Sequence, residues 1–295
     1  MYERWKRRWA EWRRRWAERR FGEGTVVRGR YRIVMPLGEG SYGVAYLCED
    51  IKNGNRPCVM KRVQPMRGGR SRAEALFDLE VRMLTQLHHE SIPELYEQFH
   101  YYGYYCFTME FAKGASLERL LFEKDTVFSE EQSLTIVNKL LDIIGYVHSK
   151  GIVHRDVRIA NVIVDGDQVR LIDFGLARSF AAEQHESPGP PLADDVSDND
   201  PMEKQIRRKI HPSSDFYAAG HLLLFLLYSG YPEPMESGDG DERSWDEELA
   251  GLHPITKRLL RRMLLSEEQP YEQVQDVQAD ISAAIDALQS PDSSA

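Results

Sequence analysis

The chain has 295 residues, 42% hydrophobic and 29% charged, which suits one large domain or two lobes and excludes collagen-like, mucin-like and wholly disordered classes. Its net charge of −9 is uneven: residues 1 to 20 carry nine Arg and Lys against three Glu, so a basic end stands on an acidic body. Cys48, Cys58 and Cys106 are odd in number and show no C-x-x-C spacing, which supports neither a disulfide framework nor a zinc site and points to a reducing compartment.

Residues 1–24 open the chain as a basic, Trp-rich amphipathic helix. Tyr2, Trp5, Trp9, Trp12 and Trp16 recur at intervals of three and four, one helical face, and arginines fill the other positions. Such a face needs a cover. Three covers fit: a membrane surface with anionic headgroups, a partner helix, or the acidic body of the chain itself. Nucleic acid is disfavoured because nothing else in the acidic chain supports it. The charges also deny this end the apolar run of a secretory signal, so the expected location is the cytoplasm, with the helix as a route to the membrane periphery.

Gly22, Gly24 and Gly29 end that helix. Short β-like runs follow at Arg32 to Pro36, Ala45 to Asp50 and Pro57 to Val63, then a helix over 71 to 87, then strands near Leu95 to Phe99 and Tyr104 to Phe111. This predicts one helix among about five strands, a β-rich lobe over 25–112. After Gly114 the pattern turns helical. Ser129-Glu130-Glu131-Gln132 reads as a capping box opening a helix that closes near Gly151. Phe216 to Tyr228 is the longest apolar stretch, too short for a membrane span and interrupted by His221, hence a buried helix. Amphipathic helices follow at Ile255 to Leu265 and Val274 to Leu288. Residues 113–288 thus form a second, helical lobe, and 289–295 a flexible tail. Within it the segment 176–210 is acidic and contains Pro188, Pro190 and Pro191.

Three clusters carry chemistry. Gly38-Glu39-Gly40-Ser41-Tyr42-Gly43 joins two strand-like runs, and glycines at this spacing let backbone N–H groups close over polyphosphate. Because a strand follows the glycines, a β-hairpin fits better than a dinucleotide fingerprint. Lys61 ends the apolar run Cys58-Val59-Met60, and Glu80 lies 19 residues on in the predicted helix. That pair can hold phosphates, or it can be an ordinary surface ion pair. His154-Arg155-Asp156-Val157-Arg158-Ile159-Ala160-Asn161 and then Asp173-Phe174-Gly175 complete the set.

This order and spacing resembles the protein-kinase signature: a G-x-G-x-x-G loop, a strand lysine, a helix glutamate, H-R-D-x-x-x-x-N and D-F-G. It is most similar to the compact Hanks-type serine/threonine kinases of bacteria, over roughly Tyr31 to Leu288. The resemblance implies a two-lobed α+β fold with ATP and Mg²⁺ between the lobes, and transfer of the γ-phosphate to a Ser/Thr hydroxyl of a protein substrate, with autophosphorylation included. It implies that Lys61 binds the α- and β-phosphates and Glu80 holds it, that Asn161 and Asp173 bind Mg²⁺, and that Asp156 accepts the hydroxyl proton. Arg158 stands where these kinases usually have lysine and presents a positive charge to the γ-phosphate. Gly38, Gly40 and Gly43 cover the phosphates. Leu37, Ala45 and Val59 give apolar contacts to adenine, Met109 guards the adenine pocket, and the backbones of Glu110 and Ala112 bind its edge. Leu84, Leu95, His154 and Phe174 take the positions of the family's stacked spine.

The chain departs from the family in one region. Between Gly175 and Asp215 there is no A-P-E, and no arginine stands near Pro270-Tyr271 to pair with its glutamate. Both members of one buried pair are missing, which suggests a remodelled segment, with Ser179, Ser187 and Ser197 as modification sites. H-R-D-x-R-x-A-N also resembles some tyrosine-kinase loops, so the acceptor is weakly encoded. Two alternatives stand beside protein phosphorylation: a kinase-like enzyme acting on small molecules, and a non-catalytic scaffold signalling through the tryptophan helix.

Overall fold

The computed structural model describes residues 20–40, 43–63, 69–180, 206–207, 209–231, 244–264 and 270–290. The tryptophan face, Ser187 and Ser197 and the tail beyond Ser290 lie outside them. The described residues form two units, one comprising 20–85 and 93–111, the other 86–92 and everything from Ala112 on.

The first unit is a six-stranded antiparallel sheet with one long helix, α1 (Gly69–Gln86). Its strands are β1 (Val26–Val27), β2 (Tyr31–Gly40), β3 (Gly43–Asp50), β4 (Arg56–Val63), β5 (Leu95–Tyr101) and β6 (Tyr104–Glu110), in the order β1-β2-β3-β4-β6-β5. Tight turns set the register. Tyr102 and Gly103 adopt the positive φ that a two-residue hairpin of this hand requires, and Gly54 and Asn55 do so at the end of the longer loop between β3 and β4. The sixth strand, β1, was not expected, because two residues carry no alternation to read; Val26 and Val27 simply pair with Arg32 and Tyr31.

Alternation gives the sheet two buried faces. On one, Phe77 of α1 packs its ring 6.2 Å from Phe107 and 5.3 Å from Tyr105 of β6. On the other, Tyr31, Ile33, Tyr46, Cys48, Cys58, Met60, Phe99, Tyr104 and Cys106 gather around Phe21, which is buried at 3% exposure. Phe21 therefore packs as part of the sheet's core, although the sequence pattern groups it with the N-terminal helix. The three cysteines are free and buried, and burial pushes their thiols up to about 11 or 12, as suits inert core residues.

The second unit is mainly helical: α2 (Leu117–Phe122), α3 (Glu130–Ser149), α4 (Pro212–Tyr228), α5 (Trp245–Glu248), α6 (Pro254–Leu264) and α7 (Val274–Gln289). The expected capping box is present, with Ser129 Oγ accepting from Gln132 N at 3.1 Å and Gln132 Oε1 accepting from Ser129 N at 2.9 Å. The buried helix starts earlier than its apolar run, at Pro212, since His211 caps it and proline suits its first turn. α3 packs on α4 and α7, and α6 packs on both of those. Short strands complete the unit: β7 (Ala115–Ser116) joins the hairpin β9 (Val162–Asp165) and β10 (Gln168–Leu171), and β8 (Ile152–Val153) pairs with β11 (Arg178–Ser179).

Candidate active site

In the first unit the β2–β3 hairpin carries the three glycines, with residues 41–42 outside the described set. Gly43 has a packing reason: at φ +153° a Cβ there would stand 2.1 Å from the Arg62 carbonyl oxygen in β4. Gly38 shows none among the described residues, where a Cβ would meet no atom within 4 Å. Leu37, close by, leaves 45% of its surface exposed.

Register places the other expected residues of this unit together. Ala45 lies opposite Lys61, Val59 opposite both Leu47 and Met109, and Met109 opposite Leu95. Lys61 Nζ donates to Glu80 Oε1 at 2.7 Å, and the two residues are only 9% and 3% exposed. Such burial excludes the ordinary surface pair. Burying two charges is costly unless they are paired, and here they are. Leu84 is buried in the same unit, and Glu110 N donates to Glu94 O at 2.8 Å at the end of β6. Ala112 opens the second unit.

In the second unit the loop from His154 to Asn161 is held from beneath. His154 is fully buried, its ring edge-on to Phe174 with centroids 4.7 Å apart. Asp156 N donates to His154 Nδ1 at 3.2 Å, so that nitrogen carries no proton; the proton sits on Nε2, which faces the Ile172 carbonyl at 3.2 Å. Burial lowers the pKa of this imidazole and keeps it neutral. One histidine thus ties the loop to the strand end just before Asp173.

The reactive side chains follow. Asn161, 5% exposed, donates through Nδ2 to the Asp156 carbonyl at 2.9 Å and to Asp156 Oδ2 at 2.7 Å. Arg158 Nε lies 3.6 Å from the same carboxylate oxygen, with half its side chain open to solvent. Asn161 O accepts from Ile172 N at 2.9 Å, which brings the backbone at 161 beside that preceding Asp173. Asp173 accepts from Gly175 N at 3.2 Å, and both it and Arg155 are held at positive φ, +64° and +66°, which non-glycine residues rarely adopt. Arg155 Nη1 donates to the Leu176 carbonyl at 3.2 Å.

In the sequence, Asp215 to Gly220 resembles the D-x-x-x-x-G that opens the large buried helix of these kinases, which says nothing of what the aspartate bonds. Its carboxylate, fully buried, accepts from His154 N at 2.9 Å and Arg155 N at 2.8 Å, and pairs with His148 Nε2 at 2.9 Å. Burial alone would raise its pKa, but the His148 hydrogen bond and neighbouring charges outweigh that and hold it low. No local pattern linking residues 148, 154 and 215 exists to be read; the available signal was the D-x-x-x-x-G of Asp215 to Gly220 at the start of the helix.

Comparison with known proteins agrees with this geometry. A protein kinase domain family model matches residues 31–293. The chain is 31% identical over 265 residues to the probable serine/threonine-protein kinase YbdM of Bacillus subtilis, covering 90% of this chain and 93% of that one. It is also 31% identical to the serine/threonine-protein kinase PknA of Nostoc, over 80% of this chain but 43% of that protein, so it spans less than half of that relative. Among solved structures, the kinase domain of Mycobacterium tuberculosis PknI aligns with a TM-score of 0.63 over 89% of this chain and 98% of that one, at 19% identity, a likeness of fold.

Proposed function

Because the chain belongs to the protein-kinase family, in its bacterial Hanks-type serine/threonine branch, we propose that its ATP-dependent phosphotransfer runs through Lys61, Asp156, Arg158, Asn161 and Asp173. The observation that carries this reading is the Asn161 amide on the Asp156 carboxylate at 2.7 Å. An oxygen of that carboxylate is thereby oriented to receive the proton of an incoming serine or threonine hydroxyl. Phosphoryl transfer has a loose transition state with charge on the peripheral oxygens, so orientation and positive charge matter more than a strong base. Lys61, braced by Glu80, supplies charge to the α- and β-phosphates, and Arg158 to the γ-phosphate. Gly38, Gly40 and Gly43 bring backbone N–H groups over the chain of phosphates. Leu37, Ala45, Val59 and Met109 contact adenine, and the backbones of Glu110 and Ala112 bind its edge.

The donor set suits Mg²⁺. Both hydrogen bonds of Asn161 described above use its nitrogen, which leaves Oδ1, a hard oxygen, for a cation; Asp173 adds a carboxylate. Mg²⁺ typically takes one or two protein oxygens together with phosphate oxygens. When bound it would neutralise charge on the phosphates. Asp173, at φ +64°, and Asn161 would hold it.

The same reading keeps 25–112 as N-lobe, 113–288 as C-lobe and 176–210 as the activation segment, of which Arg178–Ser179 pairs with β8. No helix among the described residues is long and apolar enough to cross a membrane; a cytoplasmic site of action belongs to the proposal. Of the covers for the tryptophan helix, its own kinase domain is favoured at the helix end, because Arg20 stacks over Tyr102 at 3.7 Å and Phe21 is buried in the sheet core.

The test is incubation of the chain with γ-labelled ATP, Mg²⁺ and a general protein substrate, followed by phosphoamino-acid analysis and a separate count of small molecules. Label on serine or threonine, lost in Asp156→Ala and Asp173→Asn, is expected. Label confined to metabolites, or equal incorporation by wild type and Asp156→Ala, overturns the proposal.

A further inference from the structure

The face of the sheet opposite Lys61 holds an unusual buried charge. Arg62, the next residue in β4, is 6% exposed, and among the described residues its Nε and Nη1 meet no hydrogen-bond acceptor. Its guanidinium is instead enclosed by rings: Phe21 at 4.7 Å, Tyr104 at 4.9 Å and Tyr46 at 5.9 Å from the ring centroids. With no acceptor on those two nitrogens among the described residues, the buried cation leans on these π faces. Phe21 also contacts the other rings of the cage. It stacks on Tyr46 at 5.8 Å and meets Tyr104 and Tyr101 edge-on at 5.6 Å each.

These contacts span β3, β4, β5 and β6, including the strands whose opposite face carries Ala45, Lys61 and Met109. The backbone of Arg62 is also what leaves no room for a side chain at Gly43, the last glycine of the loop. A single aromatic residue, contributed by the segment just before the domain, thus grips the reverse side of the strands that hold the nucleotide residues.

We infer that Phe21 is a positioning residue for ATP: by closing the cage around Arg62 it sets the placement of Lys61 and Gly43 and links the N-terminal segment to nucleotide affinity. Neither residue touches substrate. The inference rests on the assignment of Lys61 to the phosphates and adds to it a determinant on the far face of the sheet. Since Arg20 and Phe21 are continuous with the tryptophan-rich segment, anything that pulls on that segment is felt at this cage.

The experiment uses the full chain and measures KM for ATP, kcat, KM for the protein substrate and the melting temperature. Phe21→Leu keeps an apolar side chain without a π face, Phe21→Tyr keeps the ring, and Arg62→Met keeps the reach without the charge. Phe21→Leu and Arg62→Met are expected to raise KM for ATP about fivefold, with kcat and KM for the protein substrate changed less than about twofold, and Phe21→Tyr to match wild type. A merely structural role would lower the melting temperature and leave KM for ATP unmoved. An unchanged KM for ATP in Phe21→Leu overturns the inference, and if that variant does not fold, an unchanged value in Arg62→Met does so. Failure of the wild type to bind Mg·ATP would instead remove the underlying assignment, so the two failures are separable.

Discussion

The amide nitrogen of Asn161 bonds both the carbonyl and the carboxylate of Asp156, at 2.9 and 2.7 Å, so one side chain fixes the position and the rotation of its neighbour. Two residues tied in this way act as a unit, and their substitutions will not add. Asp156→Ala is expected to lower kcat by about 10² to 10⁴. Asn161→Ala is expected to fall by at least about tenfold, since the carboxylate loses its orientation. The double variant should be no slower than Asp156→Ala by more than about twofold. Initial rates at saturating ATP decide it, and a fully active Asn161→Ala would count against the clamp.

Lys61 and Glu80 make a buried pair, and buried pairs separate stability from function. Lys61→Met removes the cation bonded to the buried carboxylate of Glu80, at 3% exposure, and is expected to cost about 3 kcal/mol of stability along with activity. The double variant Lys61→Met, Glu80→Leu removes both charges and should recover most of that stability while remaining inactive. Chemical denaturation and phosphate incorporation, measured side by side, check the two halves. Equal stability of the single and double variants would mean the pair is not energetically coupled.

Arg158 replaces the usual lysine of the catalytic loop, and its Nε lies 3.6 Å from the Asp156 carboxylate with a solvent-open side chain. A role as a positive charge toward the γ-phosphate needs no bidentate geometry. Arg158→Lys should therefore keep activity within about threefold, whereas Arg158→Ala should lose about tenfold or more in kcat/KM. A lysine variant as impaired as the alanine variant would show that guanidinium geometry is required.

The residues proposed to carry the chemistry, Lys61, Asp156, Asn161 and Asp173, stand out in the sequence because each belongs to a short motif whose order and spacing can be read along the chain. The supports were not legible. Asp215 reaches His154 and Arg155 across some 60 residues, and nothing in either segment encodes that contact. Phe21 fell within the segment 1–24 grouped with the tryptophan helix, whose glycine breaks come only after it, yet tertiary packing places it against Tyr46 and Tyr104. β1 was missed for a related reason, as two valines show no period. Helix ends fared better: Ser129 announces its helix through capping chemistry that is local by nature.

His221 lies in α4 against the ring of Tyr217, with centroids 4.6 Å apart, and burial, with the Arg207 charge beside it, lowers its pKa to about 4. In the unfolded chain the same imidazole titrates near its ordinary 6.5. Below that value the unfolded state binds a proton that the folded state refuses, so stability is full above pH 6.5 and declines as pH falls toward 4. The buried, neutral His154 acts in the same direction. Wild type should thus lose stability over this window, and His221→Leu should show a shallower slope without becoming flat. Denaturation midpoints between pH 7 and pH 4.5 test this, and parallel curves would remove His221 from the account.

Gly38 and Gly43 look alike in sequence and differ in what surrounds them, which makes them a direct test of where the phosphates lie. A methyl group at residue 43 would be forced to 2.1 Å from the Arg62 carbonyl, at a φ that side chains rarely adopt. Strand β3 or β4 must shift to admit it, so Gly43→Ala is expected to destabilise by about 1 to 3 kcal/mol. A methyl group at residue 38 meets no atom of the described residues within 4 Å, so Gly38→Ala should leave stability within about 0.5 kcal/mol of wild type. If backbone N–H groups of this hairpin close over polyphosphate, that methyl group intrudes on the ligand, and KM for ATP should rise several-fold with the melting temperature unmoved. Gly38→Ala with wild-type nucleotide affinity would show that the hairpin does not approach the phosphates at residue 38, and the assignment of the glycine-rich loop would have to rest on Gly40 and Gly43 alone.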